Sequence, residues 1–170
     1  MTQSVEVDER VPRVDESGPR VAIIYSSPGE HDQMAQAGAL LARFRVPYDE
    51  CCMSPHRSPR ALASWMADLE PRGIEVVIAG SAGSAALAGI LAAHVVLPVI
   101  GVPLQGSSLD GHDALFGLTQ LPPGVPVAAV GIDNALNAAV LAVQMLAVGD
   151  PTLRKRLRRF KDDFEKAAVR

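Results

Sequence analysis

The densest chemistry in this sequence of 170 residues sits in five consecutive positions, Ser54-Pro55-His56-Arg57-Ser58. Histidine is the side chain that changes charge near neutral pH, so it can take up and release a proton, and the arginine fork beside it suits phosphate or carboxylate. A second stretch, Ser26-Ser27-Pro28-Gly29-Glu30, combines hydroxyls and backbone donors with one carboxylate. A third runs from Gly80 to Gly89 in glycine, serine and alanine with a single leucine. Side chains that small let backbone N–H groups approach a ligand at a strand end and helix start, although they suit a tightly packed turn equally well. The spacing matches neither the G-x-G-x-x-G nor the P-loop pattern. The other histidines read as structural, with His94 in an apolar run, His31 beginning a helix and His112 in a helix's first turn. Ser84, His112 and Asp113 have the residue types of a hydrolytic triad, but no G-x-S-x-G elbow accompanies them.

Those three stretches need strands that end at them and helices that begin after them. Val21 to Tyr25 predicts a short buried strand, and the helix after it, His31 to Phe44, carries Met34, Ala37, Leu41 and Phe44 on one face. Val46 to Met53 is the second strand, after which Ser58-Pro59 supplies an N-cap and a first-turn proline for a helix from Arg60 to Glu70. Ile74 to Gln105 holds a β-branched run, an Ala/Leu-rich segment of helical length and a second apolar run, Val95 to Val102. Continuously apolar strands around a helix are what a parallel βαβ unit covered on both faces requires. A helix from Asp110 to Gln120, a turn at Pro122-Pro123-Gly124 and a fifth strand, Val125 to Val130, follow. Asp133 is then expected to cap a helix from Asn134 to Val148, and Asp150-Pro151 to restart a helix toward Arg170. Ligands of open parallel sheets bind beyond the carboxyl ends of the strands, where the candidate residues fall.

Composition narrows the function. Hydrophobic residues make up 48% of the chain and aromatic ones 4%, which fits a closely packed α/β core and not an aromatic platform for nucleic acid. Between Val21 and Gly149 the only cations are Arg43, Arg45, Arg57, Arg60 and Arg72, so neither a Schiff-base nor a P-loop lysine is available there. The basic last twenty residues read as a solvated helix face, and no nucleic-acid partner is expected. Adjacent Cys51 and Cys52 point to opposite faces of a strand and show neither disulfide nor zinc spacing. With no signal peptide and no apolar segment of spanning length, a cytoplasmic protein is expected, without a membrane partner. Residues 1–19 read as a poorly ordered tail and 20–170 as one α/β domain. On the last helix, 151–170, Leu153, Leu157, Phe160 and Phe164 form a stripe that needs a partner surface. Since both sheet faces are already covered, that partner is expected to be another copy.

The order Val-Ala-Ile-Ile, Ser-Pro-His-Arg, Ile-Ala-Gly-x-x-Gly-x-Ala-x-Leu-x-Gly, Leu-Pro-Val-Ile-Gly-Val-Pro-Leu-Gln and Asn-Ala-Ala-x-Leu-Ala-x-Gln-x-Leu resembles the carboxyaminoimidazole ribonucleotide mutases. These are the catalytic subunits of phosphoribosylaminoimidazole carboxylase in purine synthesis, and the resemblance runs from about Val21 to the C-terminus. It implies a flavodoxin-like three-layer α/β/α subunit with a central parallel sheet and an extra C-terminal helix. It also implies an octamer with sites shared between neighbours, and neither metal nor organic cofactor. The implied reaction moves a carboxylate from the exocyclic nitrogen to the ring carbon of an aminoimidazole ribotide by way of carbon dioxide. By position, His56 would handle the proton, and Ser27, Gly29, Glu30, Ser54 and Arg57 would contact the ribotide. Gly80, Ser81, Ala82, Gly83, Ser84, Ala86 and Leu87 would hold the base and carbon dioxide.

Four places depart from the family pattern. The first loop lacks one hydroxyl and its acid is Glu30 and not aspartate, Pro55 replaces alanine, Ala86 replaces a histidine, and Gly106 replaces a serine. A site altered so locally reads as an enzyme retuned for another heterocyclic ribotide. An ordinary purine-pathway mutase is the alternative, and a silent ligand-binding or assembly subunit is the alternative from another class.

Overall fold

The computed structural model describes residues 18–168, so the expected N-terminal tail lies outside it except for Gly18 and Pro19. Five strands, β1 (Val21–Tyr25), β2 (Tyr48–Cys52), β3 (Val76–Ser81), β4 (Val99–Pro103) and β5 (Ala128–Ala129), form one sheet in the order β2-β1-β3-β4-β5. Every pairing is parallel. β1, β3 and β4 are buried along their whole length, which explains why their residues are apolar without alternation. A fully buried Ile or Val side chain contributes roughly 1.5–3 kcal/mol, and both faces of these strands collect it.

One face is covered by α1 (His31–Arg43) and α5 (Ala135–Leu146), the other by α2 (Pro59–Asp68), α3 (Ala86–His94) and α4 (His112–Thr119). α1 buries Met34, Ala37, Leu40 and Leu41 against the sheet. It stops where Arg45 turns left-handed, with Arg45 N–H donating to the Ala42 carbonyl and Val46 N–H to that of Leu41, a Schellman ending. The parallel sheet and its two helical layers are the flavodoxin-like architecture expected.

Several boundaries moved. β4 begins at Val99 and not Val95, because Val95 to Pro98 is the link out of α3. β5 holds two residues, since Pro126 has no N–H for a ladder. Ser58 sits at the start of α2 but does not cap it; its hydroxyl donates to the Ser54 carbonyl. Asn134, not Asp133, caps α5 by accepting from Asn137 N–H.

The last helix, α6 (Pro151–Ala168), begins at Asp150, whose carboxylate accepts from Leu153 N–H and pairs with Arg20. Its apolar stripe finds much of its partner surface in its own chain. Leu153 is buried, Leu157 and Phe160 pack on the layer built by α1 and α5, and Phe160 meets Phe44 edge-on at 5.2 Å. The argument for a second copy from this stripe is therefore corrected for these three residues. No helix among the described residues is long and apolar enough to cross a membrane.

Candidate functional site

β1 leads to β2 on one side of the sheet and β3 leads to β4 and β5 on the other, so the strand order reverses between β1 and β3. Loops leaving neighbouring strand ends in opposite directions open a crevice there. The loops after β1, β2 and β3 are the three stretches rich in chemistry, and the structure joins them. Arg57 at the β2 end donates from Nη2 to the Ser26 carbonyl at 2.9 Å. Its backbone N–H donates to Ser54 Oγ at 3.3 Å, closing the Pro55–Arg57 turn with His56 exposed in it. Pro55 is buried beneath that turn.

Glu30 joins the first loop to the third. Its carboxylate accepts from Ser26 N–H and Ser27 N–H, each at 2.8 Å, from the Ser26 hydroxyl at 3.0 Å, and from Ala82 N–H at 3.0 Å across the crevice. Glu30 is 8% exposed, and these protein donors surround its carboxylate. The signal was present in Ser27-x-x-Glu30, the spacing of a capping box, half of which forms here through Ser27 N–H.

The third loop divides into framework and surface. Gly80 lacks a side chain because Met34 of α1 fills the space, so that an added Cβ would run into the Met34 sulfur. Leu87 is fully buried in the core under α2, α3 and α4. Ser81 is a buried strand residue whose carbonyl accepts from Leu104 N–H. Gly80 and Leu87 are thus packed against the core, and Ser81 is 5% exposed. Ala82, Gly83, Ser84 and Ala86 remain at the surface, with Ser84 the most exposed. Ala85 is held in a left-handed conformation at φ 49°, immediately before α3, where it brings no capping side chain. Strain of this kind costs of order 1–3 kcal/mol and persists only where the surroundings enforce it. Here α4 does so, with Gly117 packed so closely that a Cβ would lie 2.7 Å from the Ser84 carbonyl oxygen.

Ser27 and Gly29 stand on the first loop, half-buried and exposed respectively. Gly106, at φ 144°, brings the β4 loop against Ala82, where an added Cβ would sit 3.1 Å from the alanine Cβ. A serine here would be strained in that backbone and crowded against Ala82. The β5 loop is tied in by Asp133, whose carboxylate accepts from Gln105 N–H at 2.9 Å.

The remaining titratable groups separate cleanly. Ser84, His112 and Asp113 do not assemble: Asp113 accepts from the Ser107 hydroxyl, and His112 Nδ1–H donates to the Leu109 carbonyl. His94 donates likewise to Ile90. His31 forms a cluster missed from sequence, its Nδ1 lying 3.0 Å from both the Tyr25 hydroxyl and Glu50 Oε1. Burial, and then the neighbouring Glu50, pushes the Tyr25 phenol up to about 12. Both cysteines are free, and burial pushes the Cys51 thiol up to about 12. Among the described residues no group of three His, Cys, Asp or Glu side chains is placed to hold a metal.

A sequence model of AIR carboxylase matches residues 20–167. The chain is 43% identical over 148 residues to the N5-carboxyaminoimidazole ribonucleotide mutase of Pyrococcus abyssi, covering 87% of this chain and 85% of that one. It is 46% identical over 144 residues to the protein of the same name from Mycobacterium tuberculosis, covering 85% and 83%. It is 44% identical over 135 residues to the phosphoribosylaminoimidazole carboxylase of Ogataea methanolica, covering 79% of this chain and 25% of that longer one. The crystal structure of Treponema denticola PurE superposes with a TM-score of 0.82 at 21% identity, over 89% of this chain and 94% of that one, and so speaks to the fold alone.

Proposed function

Because this chain belongs to the AIR carboxylase family, we propose that it is an enzyme that moves a carboxylate on carboxyaminoimidazole ribonucleotide, as its named relatives do. The observation that carries this reading is the convergence of the first two strand ends: Ser27, Ser54 and Arg57 gather at the β1 and β2 ends, with His56 exposed beside them. Arg57 and the hydroxyls suit the ribotide phosphate. Gly83, Ser84 and Ala86, at the surface around the start of α3, suit the heterocycle and carbon dioxide.

His56 serves the proton transfers. The carboxylate leaves the exocyclic nitrogen as carbon dioxide, and that nitrogen takes up a proton. The ring carbon then adds carbon dioxide and gives up its own proton. One imidazole can supply the first proton and accept the second, so the cycle balances. A site completed by neighbouring copies is part of this reading.

A second reading, a related but different heterocyclic ribotide, is favoured by Ala86, where a methyl group stands in place of the family's imidazole. His56→Asn should lower turnover about a hundredfold to ten-thousandfold with substrate affinity nearly kept, measured by single-turnover kinetics and calorimetry. Efficient conversion by the wild type supports the ordinary mutase. Weak conversion that rises in Ala86→His supports the altered substrate. A wild type that neither binds nor converts any aminoimidazole ribotide refutes both.

A further inference from the structure

We propose that Glu30 is a positioning residue that locks the phosphate side of the crevice to its base side, and that it makes no contact with the ligand. The inference deepens the proposed function and rests on it for the identity of the two sides. Its geometry stands alone. An ionised carboxylate has about four acceptor positions. Ser26 N–H, Ser27 N–H, the Ser26 hydroxyl and Ala82 N–H provide four donors within 3.0 Å, from two loops that leave neighbouring strands in opposite directions. Little acceptor capacity is left for a sugar hydroxyl.

The length of the side chain is what permits this. An aspartate would be one carbon shorter, roughly 1.5 Å, and from the same backbone could not serve Ser26, Ser27 and Ala82 together. Gly106 leaves room beside Ala82, since an added Cβ there would sit 3.1 Å from the Ala82 Cβ. The longer acid and the missing serine side chain, two of the four departures from the family pattern, therefore act on one residue. Glu30 fixes the backbone N–H of Ala82, and Gly106 lets the β4 loop close behind it. The position of Gly83 and Ser84 relative to Ser27 follows from that pairing.

The test is amide hydrogen exchange in the ligand-free protein, paired with binding of two sugar phosphates. In Glu30→Asp, exchange at Ser26, Ser27 and Ala82 should quicken together by tenfold or more, while β4 and α5 amides stay protected. Glu30→Gln, which keeps the shape but turns one acceptor into a donor, should give the same pattern and guards against a misfolded first variant. In calorimetry, the wild type's preference between ribose 5-phosphate and 2-deoxyribose 5-phosphate should survive Glu30→Gln within about twofold. Unchanged exchange at Ala82, or a preference that disappears in the variant, overturns the proposal. The exchange result needs no substrate, so failure of the proposed function would leave it readable.

Discussion

Gly117→Ala tests whether α4 enforces the shape of the third loop. The new Cβ would lie 2.7 Å from the Ser84 carbonyl oxygen and 3.8 Å from the Ala85 Cβ. Ordinary contact begins near 3.4 Å, so backbone must give way by about 0.7 Å, and Ser84 has no flexible end that could move instead. Overpacking of this kind typically costs about 1–3 kcal/mol, but replacing a helical glycine by alanine returns about 0.5–1 kcal/mol. The net loss of stability is therefore on the order of 0–2.5 kcal/mol, at most a fall of several degrees in Tm for a domain of this size. The effect on turnover should be larger than that figure suggests, because a misplacement near 1 Å can cost about a hundredfold where groups must be aligned. We expect kcat to fall at least tenfold in steady-state assays on carboxyaminoimidazole ribonucleotide, with exchange at Ala82 to Ala86 accelerated. Gly149→Ala, where a Cβ meets nothing within 4 Å, is the control. Turnover within twofold of wild type in Gly117→Ala, with unaltered exchange, would refute the claim that α4 shapes the loop.

Two further outcomes concern stability. Asp150→Ala should lower stability by about 0.5–2 kcal/mol in urea unfolding, through the cap on Leu153 N–H and the pairing with Arg20. The backbone bond from Leu153, then Arg20, holds the Asp150 carboxyl below its ordinary 3.8, so its contribution is complete above that pH and disappears as pH falls through the lower folded value; the variant should lack this part of the acid dependence. At the alkaline end Tyr25 and Cys51, raised from 10.0 and 9.0 to about 12, keep their protons longer in the folded chain than in the unfolded one. Stability should then decline from about pH 9 to 12, less steeply in Cys51→Ala, and a thermal melt insensitive to pH over that range would contradict the burial assigned to both groups.

Apolar runs without alternation made the sheet readable: β1 and β3 announce strands buried on both faces, and Pro59 and Pro151 mark helix starts through ring geometry alone. The features least legible in sequence share a physical cause, namely that they depend on distant parts of the chain. Gly80 looks like a ligand glycine until Met34 is seen beside it, and Leu87 until it is found in the core. Glu30 looks available until Ala82, 52 residues away, is found donating to it. Asp133 and Asn134 are both good capping residues, and only the left-handed turn of Asp133 decides between them. The strain at Ala85 has no sequence signal, since alanine rarely adopts that conformation and does so here because α4 and α3 hold it. The exposed turn that carries His56 and Arg57 was readable because it follows β2 directly and closes through Ser54, three residues from Arg57.

The borders of the sheet govern how this protein can meet copies of itself. At one border β5 offers two residues, preceded by Pro126; at the other, β2 carries Asp49 and Glu50, with Arg72 paired to Asp49. A short strand and a charged one are both poor templates for an incoming chain. Strand addition is thereby discouraged at both margins, which protects the molecule from open-ended, fibril-like growth. Contacts between copies are left to the helices and loops.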